Sequence, residues 1–272
     1  MFALSGKIRK GLALGLVAGM TTLGSACSIS RQQELQLGQQ YSAQINAELP
    51  IANDAAVTRY VNALGNEIAA AGGRNLSYQF YVVNTDVVNA FAVPGGYVYV
   101  NRGLIEATDN LSELAGVMAH EIGHVEKRHS VEQLEQAQTA NAGLTLAYVL
   151  LGRAPSGLES TAINVGGSLY FASHSREAEL EADATAVELL VAAGIDPHGL
   201  VTFFETLLAE RSRSPGRVEQ WFATHPTTEE RIEATRSIIQ QVPQSRLRGL
   251  QTNSDAYQQF KRSVQRLPAP SR

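Results

Sequence analysis

The sequence predicts an α+β fold: a mostly helical domain with a small antiparallel sheet just before one helix that carries the pattern H-E-x-x-H. Three observations point there. Apolar residues recur at helical spacing over most of the chain, and the period changes to two only between Leu76 and Val100. The stretch Met118-Ala119-His120-Glu121-Ile122-Gly123-His124 then follows within an apolar helical pattern. Residues 1–26 stand apart from this fold. Lys7, Arg9 and Lys10 precede an apolar run from Gly11 to Leu23, too short to span a bilayer comfortably, and Gly24-Ser25-Ala26 leads to Cys27. That is the build of an export signal.

The 272 residues are 44% hydrophobic and 18% charged with a net charge of -4, ample for a real core. Nothing in that balance suggests a nucleic-acid surface. Cys27 is the only cysteine, which excludes an internal disulfide. Leu23-Gly24-Ser25-Ala26-Cys27 resembles a bacterial lipobox with the leucine one place further from the cysteine than usual. Cys27 is therefore the candidate for lipidation and membrane anchoring; the rival is an ordinary export signal with an incidental cysteine. The expected organisation is a signal over 1–26, one domain over 27–242 and a tail over 243–272 with a short amphipathic helix.

The elements follow in order. Arg31 to Leu49 reads as a polar helix with Leu35, Gly38, Tyr41 and Ile45 to one side, ended by Pro50. Asp54 caps a second helix through Val57, Val61, Leu64 and Ile68, with Gly72-Gly73 as its stop. Tyr78 to Val83, Ala90 to Val93 and Tyr97 to Val100 read as strands, joined by Asn84-Thr85-Asp86 and Pro94-Gly95-Gly96. This sheet is either scaffold alone or, through Asn89, Ala90, Phe91 and Ala92, an edge that holds an extended peptide by its backbone. In the next helix Asn110 and Glu113 have capping-box spacing, Leu111, Leu114, Val117, Met118 and Ile122 form an apolar stripe, and Lys127, Arg128 and His129 bring cations to its end. Val131 to Gln138 is a polar helix, and Ala140 to Leu151 suits a buried helix better than a membrane span. Arg153 to Gly157 is a loop, and Ala162 to Ala172 carries no assignment. Further helices are expected from Ser173 to Gly194 and from Asp196-Pro197 through Leu207. Ser212 to Gly216 reads as a loop, and Trp221-Phe222 leads into Thr224-His225-Pro226. Thr227 and Glu230 suggest a capping box for a helix ending before Pro243, and Tyr257, Phe260 and Val264 share one side of a last helix.

The chemistry rests on His120 and His124. Four apart on a helix, they share one face, and both rings can reach a single metal ion. Glu121, beside the first ligand, is placed to take the proton of an attacking water. A lone histidine on an apolar helix is ordinarily a satisfied core residue, but two buried imidazoles without partners would be costly. A third ligand is sought in Ser173 to Asp183. A metal-bound histidine needs its other nitrogen held, usually by a carboxylate. Glu179 as ligand with Asp183 four residues later supplies both on one helical face, whereas Glu177 and Glu181 read as solvated charges with Arg176 as their possible partner.

Asn89-Ala90-Phe91-Ala92-Val93-Pro94-Gly95-Gly96, His120-Glu121-Ile122-Gly123-His124, Ser175-Arg176-x-x-Glu179-x-x-Ala182-Asp183 and Thr224-His225-Pro226 occur in the order found in one family. Over about residues 30–240 the chain resembles the gluzincin metallopeptidases that include the CAAX prenyl protease and HtpX. Within them it looks like the exported bacterial members of the LoiP and BepA type. It departs from HtpX and the prenyl protease in lacking transmembrane helices. The thirty or so residues after Val242 are too short for the tetratricopeptide array of the BepA type. The resemblance implies a lone zincin-like metalloprotease domain holding one Zn2+ per chain through His120, His124 and Glu179, with Glu121 as base and Asp183 behind a histidine. It also implies extended polypeptide substrates, cleavage of unfolded or misfolded envelope proteins, and a periplasmic lipoprotein anchored to the outer membrane, since Ser28 rather than aspartate follows Cys27. The alternative is a periplasmic chaperone or assembly factor, working with the outer-membrane protein assembly machinery around a mainly structural zinc. His225 stays open between an exposed loop residue, an oxyanion donor and, as the BepA type suggests, a latch on the metal.

Overall fold

The helix that carries H-E-x-x-H is buried on every side, and the other elements are arranged to cover it. The computed structural model describes residues 28–138 and 174–270. The predicted export signal, Cys27 and the readings of Ala140 to Leu151, Arg153 to Gly157 and Ala162 to Ala172 lie outside the described residues. In chain order come α1 (Arg31–Glu48), α2 (Ala55–Ala69), β1 (Gln79–Val83), β2 (Ala90–Val93), β3 (Tyr97–Asn101), α3 (Arg102–Ala107), α4 (Leu111–Lys127), α5 (Arg176–Ala192), α6 (His198–Arg213), α7 (Pro215–Thr224), α8 (Glu229–Gln241), α9 (Gln244–Leu247) and α10 (Asp255–Gln265). Residues 129–138 are also helical. The fold is thus predominantly helical with a three-stranded sheet ahead of α4.

Every residue of α4 from Leu111 to Val125 is buried, so its apolar stripe widens into a complete jacket. Asn110 caps its start, with Oδ1 accepting from the Glu113 amide at 3.1 Å. Arg128, in the left-handed region at φ 63°, closes its end. Against α4 lie the sheet, α2, α5 and α6. Gly123 lets α5 come close: a Cβ there would stand 2.8 Å from the Ala182 carbonyl oxygen. That contact draws the start of α5 up to the two histidines of α4.

The sheet is mixed, where the alternation predicts an antiparallel one throughout. β2 and β3 form the expected antiparallel hairpin, turning at Gly95 and Gly96 with φ of 83° and 94°. β1 does not join β2; it pairs in parallel with β3, from Gln79 opposite Tyr97 to Val83 opposite Asn101, giving the order β1-β3-β2. The reason lies in β3, whose Val98 and Val100 face α4 while Tyr99 faces the opposite apolar cluster with Phe91. A strand apolar on both faces takes the middle.

α1 also differs from its pattern. Leu35 is 41% exposed, and the buried line is Glu34, Gly38 and Ser42. Glu34 accepts from Arg74 at 2.8 Å and from Arg128 at 3.0 Å. Burial raises its pKa, but the two guanidiniums outweigh that and hold it below the usual carboxylate range. α3 and α7 have no counterpart in the sequence pattern. α7 begins with Pro215 inside the expected loop, and Trp221 anchors it in the core. The cap of α8 is Thr228 rather than Thr227, its hydroxyl accepting from the Arg231 amide. α10 lays Tyr257, Phe260 and Val264 on the core, Phe260 stacking on Tyr60 with ring centres 4.3 Å apart. Among the described residues no helix is long and apolar enough to cross a membrane.

Candidate metal centre

Four buried side chains converge where α4, α5 and the turn after α7 meet. Ligand atoms of His120, His124, Glu179 and His225 all lie within 4.8 Å of one another. The Nε2 atoms of His120 and His124 face each other at 3.0 Å, near the ~3.3 Å separation of two nitrogens on a tetrahedral ion. Glu179 Oε1 lies 3.3 Å from His124 Nε2 and 3.1 Å from His225 Nδ1, and its Oε2 lies 3.5 Å from His120 Nε2. His225 is fully buried, not an exposed loop residue, and its ring Nε2 lies 3.5 Å from Glu121 Oε1. Its loop is built tightly. The His225 amide donates to the Trp221 carbonyl at 2.7 Å, and Trp221 Nε1 donates to Thr227 Oγ1 at 3.1 Å.

Behind this group stands an ion pair. Asp183, four residues after Glu179, places Oδ1 2.8 Å from His120 Nδ1. Arg231 of α8 donates to both oxygens of Asp183, at 2.7 and 2.8 Å, and also reaches Glu179. Its guanidinium carbon lies 4.5 Å from the centre of the Phe204 ring. The electrostatics divide the two ligand histidines. Burial disfavours the charged ring of His120, yet the hydrogen bonds to Asp183 and Glu179 prevail and push it up to about 9. Burial and the neighbouring His174 hold His124 well below the ordinary histidine value. Burial raises the Glu121 carboxyl, which His225 and His120 offset only in part. Burial also works against the charge on Glu179, but His225 and Arg231 keep it well below its usual value.

The donors fit a divalent cation. Three imidazoles and one carboxylate, all buried, converge on one point. Beside them Glu121 Oε1 is buried with no hydrogen-bond partner, a costly arrangement without a neighbouring cation or water. The profile of peptidase family M48 matches residues 55–239. The chain belongs to that family. Among M48-type relatives it is 35% identical over 230 residues to the beta-barrel assembly-enhancing protease of Escherichia coli K12, covering 82% of this chain and 46% of that protein. The chain thus spans about half the length of that relative. It is 32% identical over 228 residues to metalloprotease LoiP of the same organism, 82% of this chain and 86% of the relative. With metalloprotease YcaL it shares 33% over 183 residues, 67% and 68% of the two chains.

The structure brings together His120, Glu121, His124, Glu179, Asp183 and His225 of the residues singled out from sequence. Of the predicted edge, β2 lies at one side of the sheet and packs on α4; Asn89, Ala90 and Phe91 are buried and Ala92 half-buried. Cys27 lies outside the described residues. Of the other neighbours of the M48 centre, Arg231 and His129 carry no signal of their own, and His174 lies in the stretch searched for a third ligand. Arg231 sits among Glu229, Glu230 and Glu233 and looks like an exposed helical cation. His129 reads as a dipole-compensating cation, yet it is buried and its Nδ1 lies 2.8 Å from His124 Nδ1. The His174 ring stacks on His124 with centres 3.9 Å apart. Glu181 is 52% exposed but touches Lys127 and His129, so it is not simply a solvated charge, and Arg176 pairs with Glu230 rather than Glu177.

Replacing Arg231 with Met leaves Asp183 buried without its cation. The expected loss is about 3–5 kcal/mol of stability, read as a fall in denaturant midpoint. A variant as stable as wild type removes the ion pair from its supporting role.

Proposed function

We propose that this M48 peptidase is a zinc-dependent endopeptidase acting on extended polypeptide chains. The observation that carries this is Glu121. Its carboxylate is buried beside four convergent donors, and its Oε1 has no hydrogen-bond partner. His120, His124 and Glu179 would hold the ion, a donor set suited to catalytic zinc. Zinc bound there supplies a Lewis acid that acidifies a water ligand and polarises the scissile carbonyl. Glu121 accepts the proton of the attacking water and delivers it to the leaving amine. Asp183 holds the His120 ring by Nδ1 and so aims its Nε2 inward. Asn89, buried with both amide atoms unpartnered, and the edge strand Ala90, Phe91 and Ala92 supply groups for binding a substrate backbone.

Unfolded or misfolded proteins of the bacterial envelope are the substrates that best suit such an edge. An acylated Cys27 would anchor the domain to the outer membrane from the periplasmic side. A second reading is supported by His225. As a fourth protein donor it closes the site, as in a structural centre or a latched one, and one relative is named for enhancing beta-barrel assembly. On that reading the chain is an assembly factor whose partner is the outer-membrane protein assembly machinery. The intact Glu121 favours the enzyme, and the latch reconciles the two.

Glu121→Gln keeps the shape of the side chain but not its basicity. The variant is expected to retain zinc by metal analysis and to lose casein digestion by about 10²–10⁴-fold; chelation of wild type should abolish digestion as well. Near wild-type digestion by the variant rules out Glu121 as base. For His225→Ala, turnover of an unstructured peptide is expected to rise with zinc still bound. A fall of about 10²–10³-fold would instead make His225 the oxyanion donor. Cys27→Ser is expected to move the protein from the membrane pellet to the supernatant. Unchanged fractionation with a cleaved signal supports the ordinary-signal alternative.

A further inference from the structure

We infer that His129 is the positioning residue for His124, and that the left-handed turn at Arg128 brings it there. The inference rests on the metal reading given above, in which each ligand histidine turns Nε2 toward the ion. The other nitrogen of such a ring needs a partner that fixes its orientation and tautomer. For His120 that partner is Asp183. For His124 the group facing Nδ1 is another imidazole, His129, whose Nδ1 stands 2.8 Å away.

Two ring nitrogens at that distance must be one donor and one acceptor. His124 needs its Nε2 lone pair for the ion, so its proton sits on Nδ1 and is donated to His129 Nδ1. His129 then carries its proton on Nε2, which faces Glu181 Oε2 at 3.3 Å. Glu181 Oε1 in turn lies 3.1 Å from Lys127 Nζ. The line His124 to His129 to Glu181 runs from the buried centre to the surface, and every proton in it has one acceptor. No proton is transferred; the line only fixes which nitrogen carries it.

A residue five places on does not return to a helix unless the chain reverses. α4 ends at Lys127, and Arg128 is the only non-glycine with positive φ among the described residues. A non-glycine residue in that conformation is strained and persists only where the surroundings over-determine it. They do: Arg128 Nε donates to Glu34 at 3.0 Å and its Nη2 donates to the Ile29 carbonyl at 2.6 Å. The Arg128 amide donates to the Val125 carbonyl at 3.1 Å. The turn is fixed by Glu34 of α1 and by Ile29 just ahead of that helix.

The test is zinc affinity, measured by competition with a chromogenic chelator on the full chain. His129→Ala is expected to weaken zinc binding about 10–100-fold, with unfolding temperature as a control for the fold. His129→Asn, whose Oδ1 stands where Nδ1 stood, is expected to recover most of the loss. If His129→Ala binds zinc as tightly as wild type, or His129→Asn is as weak as His129→Ala, the assignment is overturned. Nitrogen-15 histidine spectra of zinc-loaded wild type decide it without any variant. His129 protonated at Nε2 supports it, and protonation at Nδ1 overturns it. A wild-type chain that binds no zinc would remove the metal reading itself, an outcome distinct from intact zinc binding with an indifferent His129.

Discussion

The contact between Arg231 and Asp183 is the interaction on which the rest of the centre depends. Asp183 is fully buried and faces His120 Nδ1, while His120 Nε2 is turned toward His124 and Glu179. A lone carboxylate there would take up a proton and lose its hold on the ring. The two-pronged guanidinium keeps it charged, while the same cation reaches Glu179. One arginine from α8 thus sets the state of two carboxylates on α5, and through them the orientation of a ring on α4.

Packing supplies the distances. The approach of α4 and α5 at Gly123 and Ala182 leaves no room for a side chain, so the carboxylates of α5 lie within hydrogen-bonding reach of the imidazoles of α4. The glycine of H-E-x-G-H is therefore a packing residue within a chemical motif. β3 plays a comparable role for the sheet, filling both apolar faces and forcing β1 to its far side.

What the sequence discloses is what lies close along the chain. His120, Glu121 and His124 are one turn apart, and Glu179 and Asp183 are one turn apart, so helical periodicity exposes both groups. Arg231 is 48 residues from Asp183, and nothing local distinguishes it from the surface cations around it. His129 is near in sequence yet hidden, because its role follows from a left-handed Arg128 that no glycine or asparagine announces. The strand order was illegible for a related reason. Alternation reports which face a residue takes and not which strand it meets. α1 looked apolar along Leu35, but two distant arginines select the Glu34 side instead.

The chain has a single tryptophan, and it stands against His225. The Trp221 indole is fully buried, its ring centre 4.8 Å from that of His225, and its N–H is engaged by Thr227 in the same turn. Indole emission depends on the polarity around the ring and on nearby imidazole, which quenches it. The fold therefore contains an unlabelled optical gauge of the His225 turn: displacement of that turn changes the colour and yield of one fluorophore, with no second tryptophan to blur the signal.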